Sequence, residues 1–218
     1  MIKAVIFDLD GLIVESETIH SESYAAIIIE YGKKPIFDEN GFVQTIGLGA
    51  ESNWQLLKEK YAIKEDVQIL ADKKRAFYRK LLHKQKIITK PGFTELLRLL
   101  KKHKIKVAIA SAALKQHVIL VLDKLNLTME FDAVVGLGDV QRLKPYPDVY
   151  LEALKRLKIH ASQCLSLEDS ETGVESAVAA NIKVIAVPHK FSQKQNFQKA
   201  WKVVKSLKDI NLKLLSSI

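Results

Sequence analysis

One cysteine in 218 residues, Cys164, excludes an intrachain disulfide and fits a reducing cytoplasm. Proline and glycine are scarce, at five and nine residues, and no segment is of low complexity, so disorder is not expected. No apolar run approaches the roughly 20 residues of a membrane span. The stretch before the first acids, residues 1–8, is too short for a signal segment, and none is expected. Arginine is absent from Lys190 to Ile218, where seven Lys and one Asp supply much of the net charge of +9. A lysine-rich end without arginine, far in sequence from the carboxylates described next, reads as a solvated face. No nucleic-acid or membrane partner is expected, and a monomer is the default.

What the chain has in quantity is apolar material, 48% of its residues, and the first run of it leads straight into acids. Ala4 to Phe7 is four core-type residues in a row, the pattern of a strand buried on both faces, followed by Asp8-Leu9-Asp10-Gly11. Open α/β sheets bind ligands where such strands end. Residues 15–88 then show helical spacing and no strand-like run, with 12 basic and 11 acidic residues in near balance, which reads as a helical insert. From about residue 93 helix and strand alternate: strands are expected at 106–110, 133–135, 164–167 and 183–187, with an edge strand near 202–204. That order predicts a doubly wound, mainly parallel α/β sheet of residues 1–14 and 89–218, with residues 15–88 as an all-helical cap.

Each strand is followed by a polar group. Ser111 follows the second, Lys144 lies in the loop after the third, and Glu168 and Asp169 follow the fourth. In a parallel sheet these ends share one edge with Asp8 and Asp10, and carboxylates gathered there need a cation. Singly the residues are ambiguous: Ser111 reads equally as a helix N-cap, and Lys144 as a surface lysine in a loop fixed by Pro145 and Pro147.

Taken together, Asp8-Leu9-Asp10-Gly11, Ser111, Lys144-Pro145 and Glu168-Asp169-Ser170 resemble the motifs of the haloacid dehalogenase superfamily of phosphatases and phosphomutases. The helical insert after the first motif is similar to the cap of its β-phosphoglucomutase and sugar-phosphate phosphatase branch. The resemblance implies a hydrolase of small phosphomonoesters, with Asp8 as nucleophile forming an aspartyl-phosphate and Asp10 as general acid and base. It implies Mg2+ held by Asp8, the Asp10 backbone carbonyl and Asp169, with Glu168 as a supporting or additional ligand. Ser111, the amide of Ala112 and Lys144 would hold the phosphoryl oxygens, and Lys144 would also keep the neighbouring carboxyls acidic. Ser16 and His20 fall at the cap–core junction, where a histidine gates the acid–base residue in that branch; each reads equally as an ordinary position at the start of a helix. The charged stretch with Lys73, Lys74, Arg75 and Arg79 reads as solvated.

Two departures carry information. The branch's mutase has a phosphate-gripping arginine in the cap loop, where this chain has Gly47-Leu48-Gly49-Ala50-Glu51-Ser52, which favours hydrolysis over a phosphomutase reaction. Leu143 stands before the lysine where a small residue is common. The presence of Asp10 disfavours a dehalogenase, and no single cap lysine stands out for Schiff-base chemistry. A non-catalytic binding protein on the same scaffold is the alternative of a different class, and the intact set of acids, serine and lysine argues against it.

Overall fold

The computed structural model describes residues 2–38 and 46–218. Six strands form one sheet in the order β3-β2-β1-β4-β5-β6, and every neighbouring pair is parallel. The strands are β1 (Ala4–Phe7), β2 (Lys106–Leu114), β3 (Ala133–Leu137), β4 (Cys164–Glu168), β5 (Lys183–Ala186) and the edge strand β6 (Lys202–Val203). Helices α4 (Phe93–Lys102), α5 (Lys115–Lys124), α6 (Asp148–Leu157) and α7 (Glu171–Ala179) make the crossovers, and α8 (Leu212–Ser216) ends the chain.

Alternation along the strands divides the core in two. Val5, Phe7, Val107, Ile109, Leu165 and Leu167 face one layer, packed with Phe93, Leu96, Val118 and Val121 of α4 and α5. Ala4, Ile6, Ala108, Ala110, Val184 and Ala186 face the other, against Val149, Tyr150, Ala153, Val174 and Ala177 of α6 and α7. The second face is lined largely by alanine, and that leaves room for the fully buried Tyr150.

Helices α1 (Glu17–Glu30), α2 (Ala50–Lys60) and α3 (Val67–Lys84) lie between β1 and β2 in sequence. They share a core of Tyr24, Ile28, Trp54, Leu57 and Leu70. Ile19, Tyr78 and Leu82 instead join the sheet-side core, so the insert is packed onto the sheet and not merely tethered to it. The two connectors run side by side: Val14 bridges Thr89 in antiparallel fashion, the Lys90 N–H donates to Ile13 O at 2.7 Å, and Lys90 Nζ donates to Gly11 O at 2.7 Å.

Register sets the active edge. Phe7 pairs with Ile109 on one side and Leu167 on the other, so the residues just beyond them emerge at one level. One expectation needs correction: Ser111 is not beyond β2 but within it, because the strand runs on to Leu114 through a register shift after Ala110.

Candidate active site

Asp8 follows β1 directly, and its N–H continues the ladder to Leu167 O at 3.1 Å. Its carboxylate meets the Lys144 ammonium at 2.5 Å, and the same ammonium reaches Glu168 Oε1 at 2.6 Å, which joins the ends of β1, β3 and β4 through one buried cation. Glu168 is fully buried and saturated. The Tyr150 hydroxyl donates to Oε1 while accepting from the Ser166 hydroxyl at 3.0 Å, and the Asp169 N–H reaches Oε2 at 3.3 Å. Gly173 in the first turn of α7 makes this possible, because a Cβ there would lie on the Glu168 carboxylate.

Asp169 turns the other way. Its Oδ2 accepts from His189 Nε2 at 2.8 Å, and the same nitrogen lies 2.9 Å from Glu17 Oε1. Gly11, at φ +84°, lets the backbone pass beside these acids, since a Cβ would strike both Asp169 and Glu17. Ser111 Oγ accepts the Ala113 N–H at 3.0 Å, which leaves its own proton to donate, and Ser111 and Ala112 both line the cavity.

Asp10 is held from the insert. The Ser16 hydroxyl donates to its Oδ1, His20 Nε2 lies 3.4 Å from that oxygen, and Tyr78 OH lies 3.5 Å from it. His20 stacks on Tyr78 with centroids 4.2 Å apart, and its Nδ1 meets Lys74 Nζ at 2.6 Å. Lys74 is buried between the rings of Tyr24 and Tyr78, 4.8 Å from each centroid. Reading that lysine as solvated is therefore wrong. Arg75 also lines the cavity while pairing with Glu51 and Asp72, whereas Lys73 is half-buried beside Tyr31 and pairs with Glu30. His117, at the start of α5, packs on Tyr78 and faces the same space.

Asp8, Asp10, His20, Lys74, Ser111 and Lys144 enclose, with Glu17, His117 and Asp169, one cavity whose free space, open mouth included, is about 850 Å³. Its electrostatics differ from the expectation that Lys144 keeps the acids acidic. Burial, with the charges of Glu168 and Asp169, outweighs Lys144 and holds the Asp8 carboxyl well above the usual range. Burial likewise raises Asp169 to about 6, against the lowering pull of His189. Asp10 goes the opposite way: burial would raise it, but His20, Ser16 and Lys74 together bring it down to about 2. Burial lowers Lys74 to about 7. Oxygens of Asp8, Glu168 and Asp169 lie within 4.8 Å of one another. Counting Glu17, four buried carboxylates face two cations, the Lys144 ammonium and the His189 ring, which burial would lower but Asp169 and Glu17 hold up at about 9. The oxygens of Asp8, Glu168 and Asp169 form a hard donor set still short of positive charge, which fits Mg2+.

A model of the haloacid dehalogenase-like hydrolases matches residues 5–187, the span from β1 to just past β5. The chain belongs to that family. Within it, a phosphorylated carbohydrates phosphatase of Thermotoga maritima is 31% identical over 188 residues, covering 84% of this chain and 83% of the relative. The Bacillus subtilis β-phosphoglucomutase is 28% identical over 220 residues, covering 98% and 93%. Among solved structures, β-phosphoglucomutase from Clostridium difficile superposes with a TM-score of 0.84 at 25% identity, covering 100% of this chain and 96% of that one. CbbY from Rhodobacter sphaeroides, in complex with phosphate, shares the fold with a TM-score of 0.79 at 23% identity and 96% coverage of both chains. Asp8, Asp10, Ser111, Lys144 and Asp169, named from the sequence, all line this one cavity, with Ser111 inside β2 and Lys144 in the loop after β3. Lys74, Tyr78, Tyr150, Glu17 and His189 are additions. A lysine in a charged helix, aromatics at helical spacing and a histidine after the last long strand give no separate signal in the sequence.

Proposed function

We propose that this hydrolase is a Mg2+-dependent phosphatase of small phosphorylated carbohydrates, acting through an aspartyl-phosphate on Asp8. The observation that carries the reading is the convergence of Asp8, Asp10, Ser111, Lys144 and Asp169 on one cavity roofed by the insert. The phosphorylated-carbohydrate phosphatase and the mutase among its relatives support the substrate class.

Asp8 attacks phosphorus, and the alcohol leaves; water then cleaves the acyl phosphate and frees the carboxylate. Mg2+, held by Asp8, Asp169 and the Asp10 backbone with Glu168 close by, would stabilise the ionised carboxylates and draw charge from the phosphoryl oxygens. Lys144 and the Ser111 hydroxyl bind those oxygens, while Tyr150 and Glu168 fix the ammonium in place. With its carboxyl brought down to about 2, Asp10 is set in this arrangement to accept a proton from water in the second step. To protonate the leaving alcohol in the first, it must gain a proton; the Ser16 hydroxyl is the donor nearest to it, and the His20 ring nitrogen lies beyond at 3.4 Å. Residues 15–88, the cap, exclude water by closing on the core residues 1–14 and 89–218, with hinges near 14–16 and 87–92.

The purified protein should release phosphate from sugar phosphates and from a generic aryl phosphate with Mg2+ and not with EDTA. Asp8→Asn should lower this by at least about a thousandfold, and undiminished turnover in that variant sinks the reading. A phosphomutase is the second reading, kept because Lys74 and Arg75 line the cap wall of the cavity, although Arg75 pairs with Glu51 and Asp72 and Lys74 meets His20. Isomerised product without net phosphate release, on addition of a bisphosphate primer, would establish it.

A further inference from the structure

His189 lies outside every motif used above, on the loop that follows β5, yet it touches two acids from distant parts of the chain. Its Nε2 is 2.8 Å from Asp169 Oδ2 in the core and 2.9 Å from Glu17 Oε1, the first residue of α1. The ring is placed by its own loop. The His189 N–H donates to Ser192 Oγ at 3.2 Å, and the amides of Ser192 and Gln193 both donate to His189 O at 2.9 Å. Ser192 is fully buried, and the Gln195 side chain farther along the loop accepts the Glu171 N–H at 2.9 Å. Nδ1 faces the Phe191 N–H at 3.3 Å, so a neutral ring carries its hydrogen on Nε2; a charged ring carries it there as well. In either state one N–H, fixed by the loop, is directed at Asp169 Oδ2, with Glu17 Oε1 beside it at 2.9 Å from the same nitrogen.

We propose that His189 is a positioning residue for Asp169, holding one carboxylate oxygen so that the side chain keeps a single orientation toward Asp8 and Glu168, with Glu17 as the counterweight that centres the ring. The inference rests on the proposed Mg2+ site. A carboxylate free to rotate between two buried neighbours must be ordered when it takes a metal, and an imidazole that already holds it removes that cost. Groups that orient metal-binding side chains typically change metal affinity by about 10- to 100-fold when removed.

The test is a calorimetric Mg2+ titration of the full chain as wild type, His189→Leu and His189→Gln, with thermal unfolding in EDTA as the control of folding. The leucine variant should bind Mg2+ about 10- to 100-fold more weakly at a thermal midpoint close to wild type. The glutamine variant, which keeps an N–H at similar reach, should recover most of the loss. In turnover, the leucine variant's defect should shrink as Mg2+ is raised, with KM for the phosphate ester unchanged at saturating metal. If the leucine variant does not fold, His189→Ala replaces it. Unchanged Mg2+ affinity in the variant overturns the inference alone, as does an equal loss in both variants with a lowered midpoint, which assigns His189 to packing. A wild-type chain that takes up no Mg2+ overturns the proposed function as well.

Discussion

Lys74 shows how a single residue can work against the stability of the fold that holds it. Its ammonium sits among Tyr24, Tyr78 and His20, and burial brings its pKa from an ordinary 10.5 to about 7. Between these two values the unfolded chain binds the proton and the folded chain does not, so this residue makes stability rise with pH across that window. Below about 7 its penalty is complete. Lys74→Met should therefore stabilise the protein by about 2 kcal/mol at pH 6, with the gain fading as pH climbs toward 10.5, and should lower turnover; urea unfolding at pH 6 and 9 checks the sign. Nothing in the run Lys73-Lys74-Arg75 itself distinguishes the middle residue, because it is enclosed by Tyr24 and His20 of α1 and by Tyr78 one turn farther along α3. Asp8 and Asp169, by contrast, are legible because each directly follows a buried strand, and Asp10 because it stands two residues beyond Asp8. The direction of the Asp8 shift is not legible, since it depends on how deeply the edge is enclosed.

At the scale of elements, the first turn of α7 is built to meet Glu168. Ser170 caps the helix by accepting the Gly173 N–H at 3.2 Å, and Gly173 clears the space that the carboxylate fills. Alanine inside a helix is ordinarily preferred to glycine by about 1 kcal/mol. Here the sign should invert: Gly173→Ala should destabilise by about 2 kcal/mol in urea and reduce activity by displacing Glu168 and, through it, Lys144. The strand and helix sequence of the sheet is readable from periodicity alone, including the short edge strand β6. Where β2 ends is not, because Ser111 to Leu114 stay extended through pairing with β3, a tertiary interaction with no local signal.

For the molecule as a whole, a cation bound only by the folded state must raise stability by mass action. Mg2+ at about a hundred times its Kd should add about 2.7 kcal/mol, and EDTA should return the thermal midpoint to the metal-free value; calorimetric scans at several Mg2+ concentrations check this. The parallel sheet and the helical insert follow from the sequence because one has buried runs and the other 3.6-residue spacing. The packing between them does not, since Ile19, Tyr78 and Leu82 look like any core residues of a helix. The paired connectors at Val14 and Thr89 carry a consequence for the architecture. Because those two segments already lie antiparallel, the chain leaves the sheet and returns to it at one spot, as it would through a hairpin. A version of this chain with a short turn joining Val14 to Thr89 should keep all six strands in order, while giving up the apolar contacts of Ile19, Tyr78 and Leu82 and the polar ones that Ser16, His20 and Tyr78 make to Asp10 and Glu17 makes to His189. The strand order is thus set apart from the insert, whereas the surroundings of Asp10 are not, since Ser16, His20 and Tyr78 supply them.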